Sequence, residues 1–200
     1  MKRTLEEAIS NRRSYYHINS DSPVEDSEII RIIHEAVRHV PSAFNSQSTR
    51  IVLLLDKHHS KLWEIVKDTL KKMLPEEVFL NTRTKIDGSF ASGYGTVLFF
   101  EDTSVVTQFI QTYPLYSSNF KTWAQHTSAM HQFTVWTMLE DLGFGASLQH
   151  YNPLIDNEVK HTWNLPNEWE LIAQMPFGMP LSAPSEKTYK PLEERVKVFQ

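Results

Sequence analysis

The segment 122–139 contains no Asp, Glu, Lys or Arg. At about 100° per residue, its large apolar side chains surround a helix instead of lining one stripe. The uncharged polar residues among them favour packing against other protein. We therefore predict a helix that is buried on all sides. It should end near Leu142, because Gly143 can supply a left-handed cap, and a polar strand is expected over 146–151.

Two amphipathic helices are predicted before the first strand. Thr4 and Glu7 have the spacing of a capping box, which predicts a helix ending near Asn11. Its buried side is expected to carry Leu5, Ala8 and Ile9. The second helix is expected to be capped by Asp26 or Ser27. Its apolar positions recur with a period of 3.6 residues at Ile29, Ile30, Ile33, Ala36, Val37 and Val40.

The remaining elements alternate irregularly. Leucine-rich and β-branched runs predict buried strands over 50–56, 96–100 and 169–175. Helical patterns predict helices over 60–74, 104–111 and 156–163. The segment 76–93 is too mixed to assign, and His58 and His59 are expected in a solvent-facing loop. This order favours an α+β sheet flanked by helices, formed as one domain by all 200 residues.

Composition narrows the function. A net charge of -4 and a pI near 6.1 give no electrostatic reason for a nucleic-acid partner or an acidic membrane surface. The chain has no cysteine, so redox chemistry requires a bound cofactor. Its charged first residues lack the apolar core of a secretory signal, and no apolar run reaches the roughly 18 residues of a membrane helix. We therefore expect a cytoplasmic protein without a membrane partner.

Several common catalytic motifs are absent. Gly143 and Gly145 lack the third glycine of a dinucleotide fingerprint, and they follow a helix instead of a strand. No serine-hydrolase elbow occurs. His126 and His131 are five residues apart, so on a helix they would face different directions, and we predict no metal site.

Two polar clusters leave alternatives open. Arg12, Arg13 and Ser14 follow the first helix and form either a solvated corner or an anion clamp, because guanidinium groups make bidentate contacts to phosphate. The loop 41–48 is either a plain helix-to-strand connection or a binding loop. Its Asn45 and Gln47 side chains can both donate and accept hydrogen bonds, which suits a heterocycle edge.

Four segments in order resemble the flavin-dependent nitroreductase family. They are Arg12-Arg13-Ser14, the loop 41–47, the turn 142–147 and the tail 187–194. The segments 95–102, 146–153 and 174–178 are similar to the short branch of the family that is named after a fatty-acid-repression mutant. Each motif is weak alone, but their occurrence together in this order over nearly the whole chain is specific.

The resemblance implies an α+β fold with a mainly antiparallel sheet, built as an intertwined homodimer. Each of two sites at the subunit boundary would hold one FMN, tightly but not covalently. The resemblance implies contacts to the phosphate and the flavin edge from Arg12, Arg13 and Ser14, and a phosphate contact from Lys187. It implies contacts from the second chain by Ser42, Asn45 and Gln47. The isoalloxazine ring near N5 would be contacted by Leu148, Gln149 and His150. Tyr16 and Tyr189 stand where many relatives have basic residues, so the charge expected at Tyr16 falls to Arg13.

The activity implied by the resemblance is NAD(P)H-dependent reduction. NADH or NADPH would pass hydride to flavin N5, and a nitroaromatic or quinone would then take its place and be reduced, in ping-pong order. No side chain is required as a catalytic residue. Phe44, Tyr116 and Phe120 are candidates for a hydrophobic slot that accepts small flat molecules. An alternative is an FMN-binding regulatory or stress-response protein, in lipid or redox signalling, with incidental reductase activity. A cofactor-free dimer is a third.

Overall fold

A computed structural model of the chain describes residues 3–200. Within these residues, five strands form one sheet in which every strand pairing is antiparallel. The strands are β1 (Ile18–Asn19), β2 (Thr49–Leu55), β3 (Gly95–Asp102), β4 (Gly145–Ala146) and β5 (Trp169–Pro180). Their order is β1-β5-β3-β2, and β4 pairs with the second half of β5.

Helices cover both faces of this sheet. They are α1 (Leu5–Asn11), α2 (Asp26–His39), α3 (Asp56–Lys71), α4 (Glu76–Ser89), α5 (Thr103–Thr112), α6 (Phe120–Asp141) and α7 (Asp156–Thr162). Short 3₁₀ turns lie at Ala43–Asn45, Pro114–Tyr116 and Leu192–Glu194. The predicted α+β fold with an antiparallel sheet flanked by helices is confirmed. No helix in residues 3–200 is long and apolar enough to cross a membrane.

The central strand β3 separates two cores because its side chains alternate between the faces. Leu98 and Phe100 pack with α3, α4 and α7 on one face. Val97 and Phe99 pack with α2 and α6 on the other. All eight residues of β3 are buried, as expected for a strand covered on both sides.

The expectation that His58 and His59 lie in a loop is wrong, because α3 begins directly after β2. Asp56, with φ 48°, turns the chain between the two elements. His59 is buried, with Nδ1 2.9 Å from Thr96 Oγ1 and Nε2 3.2 Å from the Ala91 carbonyl. Burial lowers the pKa of His59.

Three helices differ from the predictions in their cap, their buried side or their assignment. α2 is preceded by Glu25, which makes no side-chain cap, so neither Asp26 nor Ser27 is the cap. The Asp26 carboxylate instead accepts a hydrogen bond of 2.5 Å from the Tyr94 hydroxyl. In α1 the capping box is present, but only Ala8 is buried. The unassigned segment contains α4, whose buried residues Phe79 and Ile86 lie two turns apart on one face.

The helix α6 is not buried all round within one chain. Met130 is 39% exposed and Phe133 is 45% exposed. Its buried side combines apolar residues with polar ones that bond one turn apart. His131 Nδ1 lies 3.0 Å from the Thr127 carbonyl, and Gln132 Nε2 donates to Ser128 Oγ at 3.0 Å.

The strands around the site also differ from expectation. β5 extends to Pro180 because its second half pairs with β1 and β4. The strand predicted over 146–151 contains only Ala146 of β4, after which the chain meets β5 at the single bridge Gln149–Gln174.

Candidate functional site

The segment that follows α1 is fixed against β4 by its backbone. The Arg12 N–H donates to the Ala8 carbonyl at 3.0 Å and ends the helix. Ser14 then bridges Ala146, and the Tyr15 N–H donates to the Ala146 carbonyl at 3.0 Å. Gly145 permits this approach, because a Cβ there would lie 2.8 Å from Tyr15 Cβ. The side chains of residues 12–16 therefore extend from a backbone that hydrogen bonds hold at Arg12 and at Tyr15.

A cavity of about 500 Å³ opens beside this segment. It is lined by residues 12–17 on one side and by residues 182–188 of the tail on the other. The structure thus brings Arg12, Arg13, Ser14, Tyr16 and Lys187 together, although the tail lysine is more than 170 positions away in sequence.

Arg12, Arg13 and Lys187 line this cavity together with one acidic residue, Glu186. Arg12 Cζ lies 4.4 Å from the centroid of the Trp136 ring, and its guanidinium donates no hydrogen bond within residues 3–200. Its Nε is buried without a partner. Burial, followed by the charge of Arg13, lowers the pKa of Arg12. Arg13 Nη2 donates to the Ser185 carbonyl and so connects the cavity to the tail.

The segment 148–150 forms a second part of the site and rests on β5. The backbones of Gln149 and Gln174 bond to each other in both directions, and Gln149 Nε2 donates to Ser147 Oγ at 3.1 Å. Leu148 and Gln149 are half-buried, whereas His150 is exposed.

Gln174 supports this second part and was missed as a functional residue. Its Oε1 accepts from the Tyr151 N–H at 2.7 Å, and its Nε2 donates to Asn152 Oδ1 at 3.2 Å. The available signal was a glutamine within the apolar run 171–177 of this strand, because a fully buried amide requires partners.

The loop 41–48 forms a third part. The Gln47 N–H donates to Ser42 Oγ at 3.0 Å. Phe44, Asn45 and Gln47 have φ values of 55°, 53° and 49°. Asparagine adopts this left-handed region fairly readily, but phenylalanine and glutamine do so only when their surroundings hold them.

Arg50 and Asp102 hold the end of this loop. Arg50 Nη1 donates to the Gln47 carbonyl at 2.7 Å, while its Nη2 forms a 3.0 Å ion pair with Asp102. Burial acts to raise the pKa of Asp102, but the Ser104 hydroxyl, the Arg50 charge and the backbone N–H groups of Val105 and Ser104 together lower it below its ordinary value. The Arg50–Asp102 pair therefore holds the carbonyl of Gln47, whose backbone lies in the left-handed region.

Phe44 lies at the centre of an aromatic cluster that contains all three predicted slot residues. Its ring centroid is 5.6 Å from Tyr116 and 5.5 Å from Phe120. Tyr113 and Trp123, at 4.7 and 6.0 Å, also belong to it and were not among the predicted residues. Phe44 and Tyr116 are exposed, whereas Phe120 is buried beneath them.

The site residues therefore form separate groups within one chain. No residue of the loop 41–48 lines the cavity formed by 12–17 and 182–188. The predicted contacts of Ser42, Asn45 and Gln47 with the same ligand would require a second chain.

Comparison with known proteins gives consistent matches. The sequence profile of the Nitroreductase family matches residues 9–179. The nitroreductase FRM2 of Saccharomyces cerevisiae is 31% identical over 184 residues, which cover 91% of each protein. Nitroreductase CinD from Lactococcus lactis in complex with nicotinic acid superimposes with a TM-score of 0.91 at 40% identity, covering 98% of this chain and 100% of that chain. CinD in complex with 4-nitrophenol gives a TM-score of 0.90 at 39% identity and the same coverage.

Proposed function

Because this chain belongs to the nitroreductase family, we propose that it is an FMN-dependent NAD(P)H oxidoreductase that reduces nitroaromatic compounds and quinones in ping-pong order. The observation that carries the proposal is the cavity between 12–17 and 182–188, which is lined by Arg12, Arg13 and Lys187 against one carboxylate, that of Glu186. Membership of the family alone supports nitroreductase activity. The charge of this cavity supports the cofactor.

The cavity fits the phosphate monoester of FMN. Arg12 has all of its side-chain donors free, and its buried Nε lacks a partner. Ser14 adds a hydroxyl, and Lys187 adds an ammonium group from the tail. A phosphate dianion accepts bonds from such donors and relieves the repulsion between Arg12 and Arg13. We assign the phosphate to these four residues.

The flavin ring is assigned to the segment 148–150 and to the Arg12–Tyr16 segment, which flank β4. Leu148 offers an apolar contact, and Gln149 and His150 offer hydrogen-bonding groups. Tyr16 has no fixed charge, so we assign the stabilisation of negative charge on the pyrimidine side of the ring to Arg13. Burial of Gln174 keeps the backbone beneath these residues in place.

The second half of each site is assigned to a second copy of the chain. Ser42, Asn45 and Gln47 lie on a different surface from the cavity, so a dimer is needed for them to meet the same FMN. The exposed apolar residues Met130 and Phe133 of α6 supply a surface that such a dimer would bury. The Arg50–Asp102 ion pair would present the loop in one conformation.

When bound, FMN supplies a ring atom that takes hydride from NAD(P)H and gives it to the second substrate. The protein's part is binding and orientation. Phe44 and Tyr116 offer exposed rings on which a flat acceptor can stack, and Phe120 supports them from below. The flat aromatic ligands in the CinD complexes, nicotinic acid and 4-nitrophenol, support this choice of substrate class.

An absorbance spectrum of the purified protein tests the proposal. We expect flavin bands that bleach on anaerobic addition of NADH or NADPH and return when 4-nitrophenol is added. Protein that stays colourless after incubation with excess FMN would refute it. Flavin bands without steady consumption of NADH or NADPH in the presence of a nitroaromatic or quinone would instead favour the regulatory FMN-binding protein.

A further inference from the structure

Trp136 lies on α6 beneath the guanidinium of Arg12. The Arg12 Cζ atom is 4.4 Å from the centroid of the indole ring, within the range of a cation–π contact. The two residues belong to α6 and to the segment after α1. The stack therefore joins the cavity to the longest helix of the molecule.

This contact is the only attractive side-chain interaction of the Arg12 guanidinium within the part of the chain that the structure describes. A cation–π contact uses none of the N–H donors of a guanidinium. The indole therefore orients Arg12 without using a hydrogen bond. The buried, unpartnered Nε of Arg12 agrees with a group that is positioned for a ligand.

Arg13 is held in a different way. One of its terminal nitrogens donates to the Ser185 carbonyl, so part of its donor capacity is already used. No carboxylate forms an ion pair with either arginine in residues 3–200. Of the two, Arg12 has the larger unused capacity for a planar, bidentate contact to an anion.

We infer that Trp136 is a positioning residue that holds Arg12 toward the FMN phosphate, and that this stack lets the protein distinguish FMN from riboflavin. The inference rests on the proposed function. Riboflavin has the same ring system but no phosphate. A residue that acts through Arg12 therefore affects FMN and leaves riboflavin unchanged.

The test compares the affinities of the apoprotein for FMN and for riboflavin by titration of flavin fluorescence. We expect the wild type to prefer FMN. Trp136→Leu removes the ring face and should reduce that preference on the order of tenfold, through weaker FMN binding alone. Trp136→Phe keeps a ring face and should retain more of the preference. Arg12→Ala should lose it, and adding Trp136→Leu to that variant should cause little further change.

Trp163→Leu is the matched control, because Trp163 is also half-buried but bonds to His58 away from the cavity. It should leave the preference unchanged. Thermal unfolding of each apoprotein identifies variants that are not folded.

Equal losses of FMN and riboflavin affinity in folded Trp136→Leu protein would overturn the inference, because they would show a purely structural role. Retention of the preference would overturn it as well. A wild type that binds both flavins equally well would refute the positioning role but not flavin binding. A wild type that binds neither would refute the proposed function itself.

Discussion

The backbones of Gln149 and Gln174 exchange two hydrogen bonds, of 2.7 and 2.9 Å, and so attach the segment 148–150 to β5. The Gln174 side chain strengthens the attachment, because its Oε1 accepts from the Tyr151 N–H at 2.7 Å. Gln174, in the central sheet, thus holds Gln149 and Tyr151 in place on either side of His150.

Gln174→Met should lower the free energy of unfolding of the apoprotein by about 1–3 kcal/mol, because it leaves the buried Tyr151 N–H without a partner. Urea denaturation measures the change, and FMN affinity should fall with it. Gln111→Met, at an exposed position, should change stability by less than about 0.5 kcal/mol. Equal stabilities for the two variants would contradict the anchoring role of Gln174.

Lys187→Ala should weaken FMN binding by about 3- to 10-fold, because it removes one cation from the phosphate site. The effect should shrink as salt is added, since this ammonium group is exposed. Lys190→Ala is the matched control, because Lys190 belongs to the same exposed tail but does not line the cavity. Titrations with FMN at two ionic strengths decide the matter. If the two variants bind FMN equally well, Lys187 is not a phosphate ligand.

Glu101→Gln should become more stable relative to the wild type as the pH rises. Burial raises the pKa of Glu101 above its ordinary value of 4.5, and its Oε1 is buried without a partner. The folded protein therefore favours the protonated acid. The stability that Glu101 contributes is full below about pH 4.5 and is lost as the pH rises through the raised pKa.

The unfolding free energies of wild type and Glu101→Gln are compared between about pH 4 and pH 8. This range begins near the ordinary pKa of a glutamate and extends past neutral pH. Glu168→Gln, at an exposed position, is the matched control. A difference that is constant with pH would mean that Glu101 does not titrate differently in the folded and unfolded states.

Met130→Glu should reduce both dimerisation and FMN retention, because the proposed interface would have to bury an unpaired carboxylate. Light scattering after gel filtration gives the mass, and the absorbance ratio of flavin to protein gives the cofactor content. Val78→Glu adds the same charge at a similarly exposed apolar position on α4 and should change neither. A stable, yellow monomer of Met130→Glu would show that cofactor binding does not depend on the dimer.

The sequence predicted most elements because local patterns decide them. The capping box of Thr4 and Glu7 is present, and Gly143, with φ 95°, follows the end of α6 as expected. Contacts between residues that are distant in the sequence were harder to predict. His59 is polar and lies just after the boundary between β2 and α3. No neighbouring residue indicated that it would be buried against Thr96, which is 37 positions away.

The candidate site shows the same division. The resemblance drew attention to Arg12, Arg13 and Lys187, and the structure places all three around one cavity. Trp136 and Gln174 could not be recognised as supporting residues in the same way. Their roles depend on pairings with Arg12 and Tyr151, which lie far away in the sequence, and these pairings exist only in the folded chain.

The strand order β1-β5-β3-β2 also constrains synthesis of the protein. β5 is the last strand to be made, yet it lies inside the sheet between β1 and β3. A nascent chain that ends before residue 169 can pair β2 with β3, but one edge of β3 is still open. The sheet is complete only once residues 169–180 are available to pair, so β1 and the open edge of β3 acquire their strand partner later than β2 does.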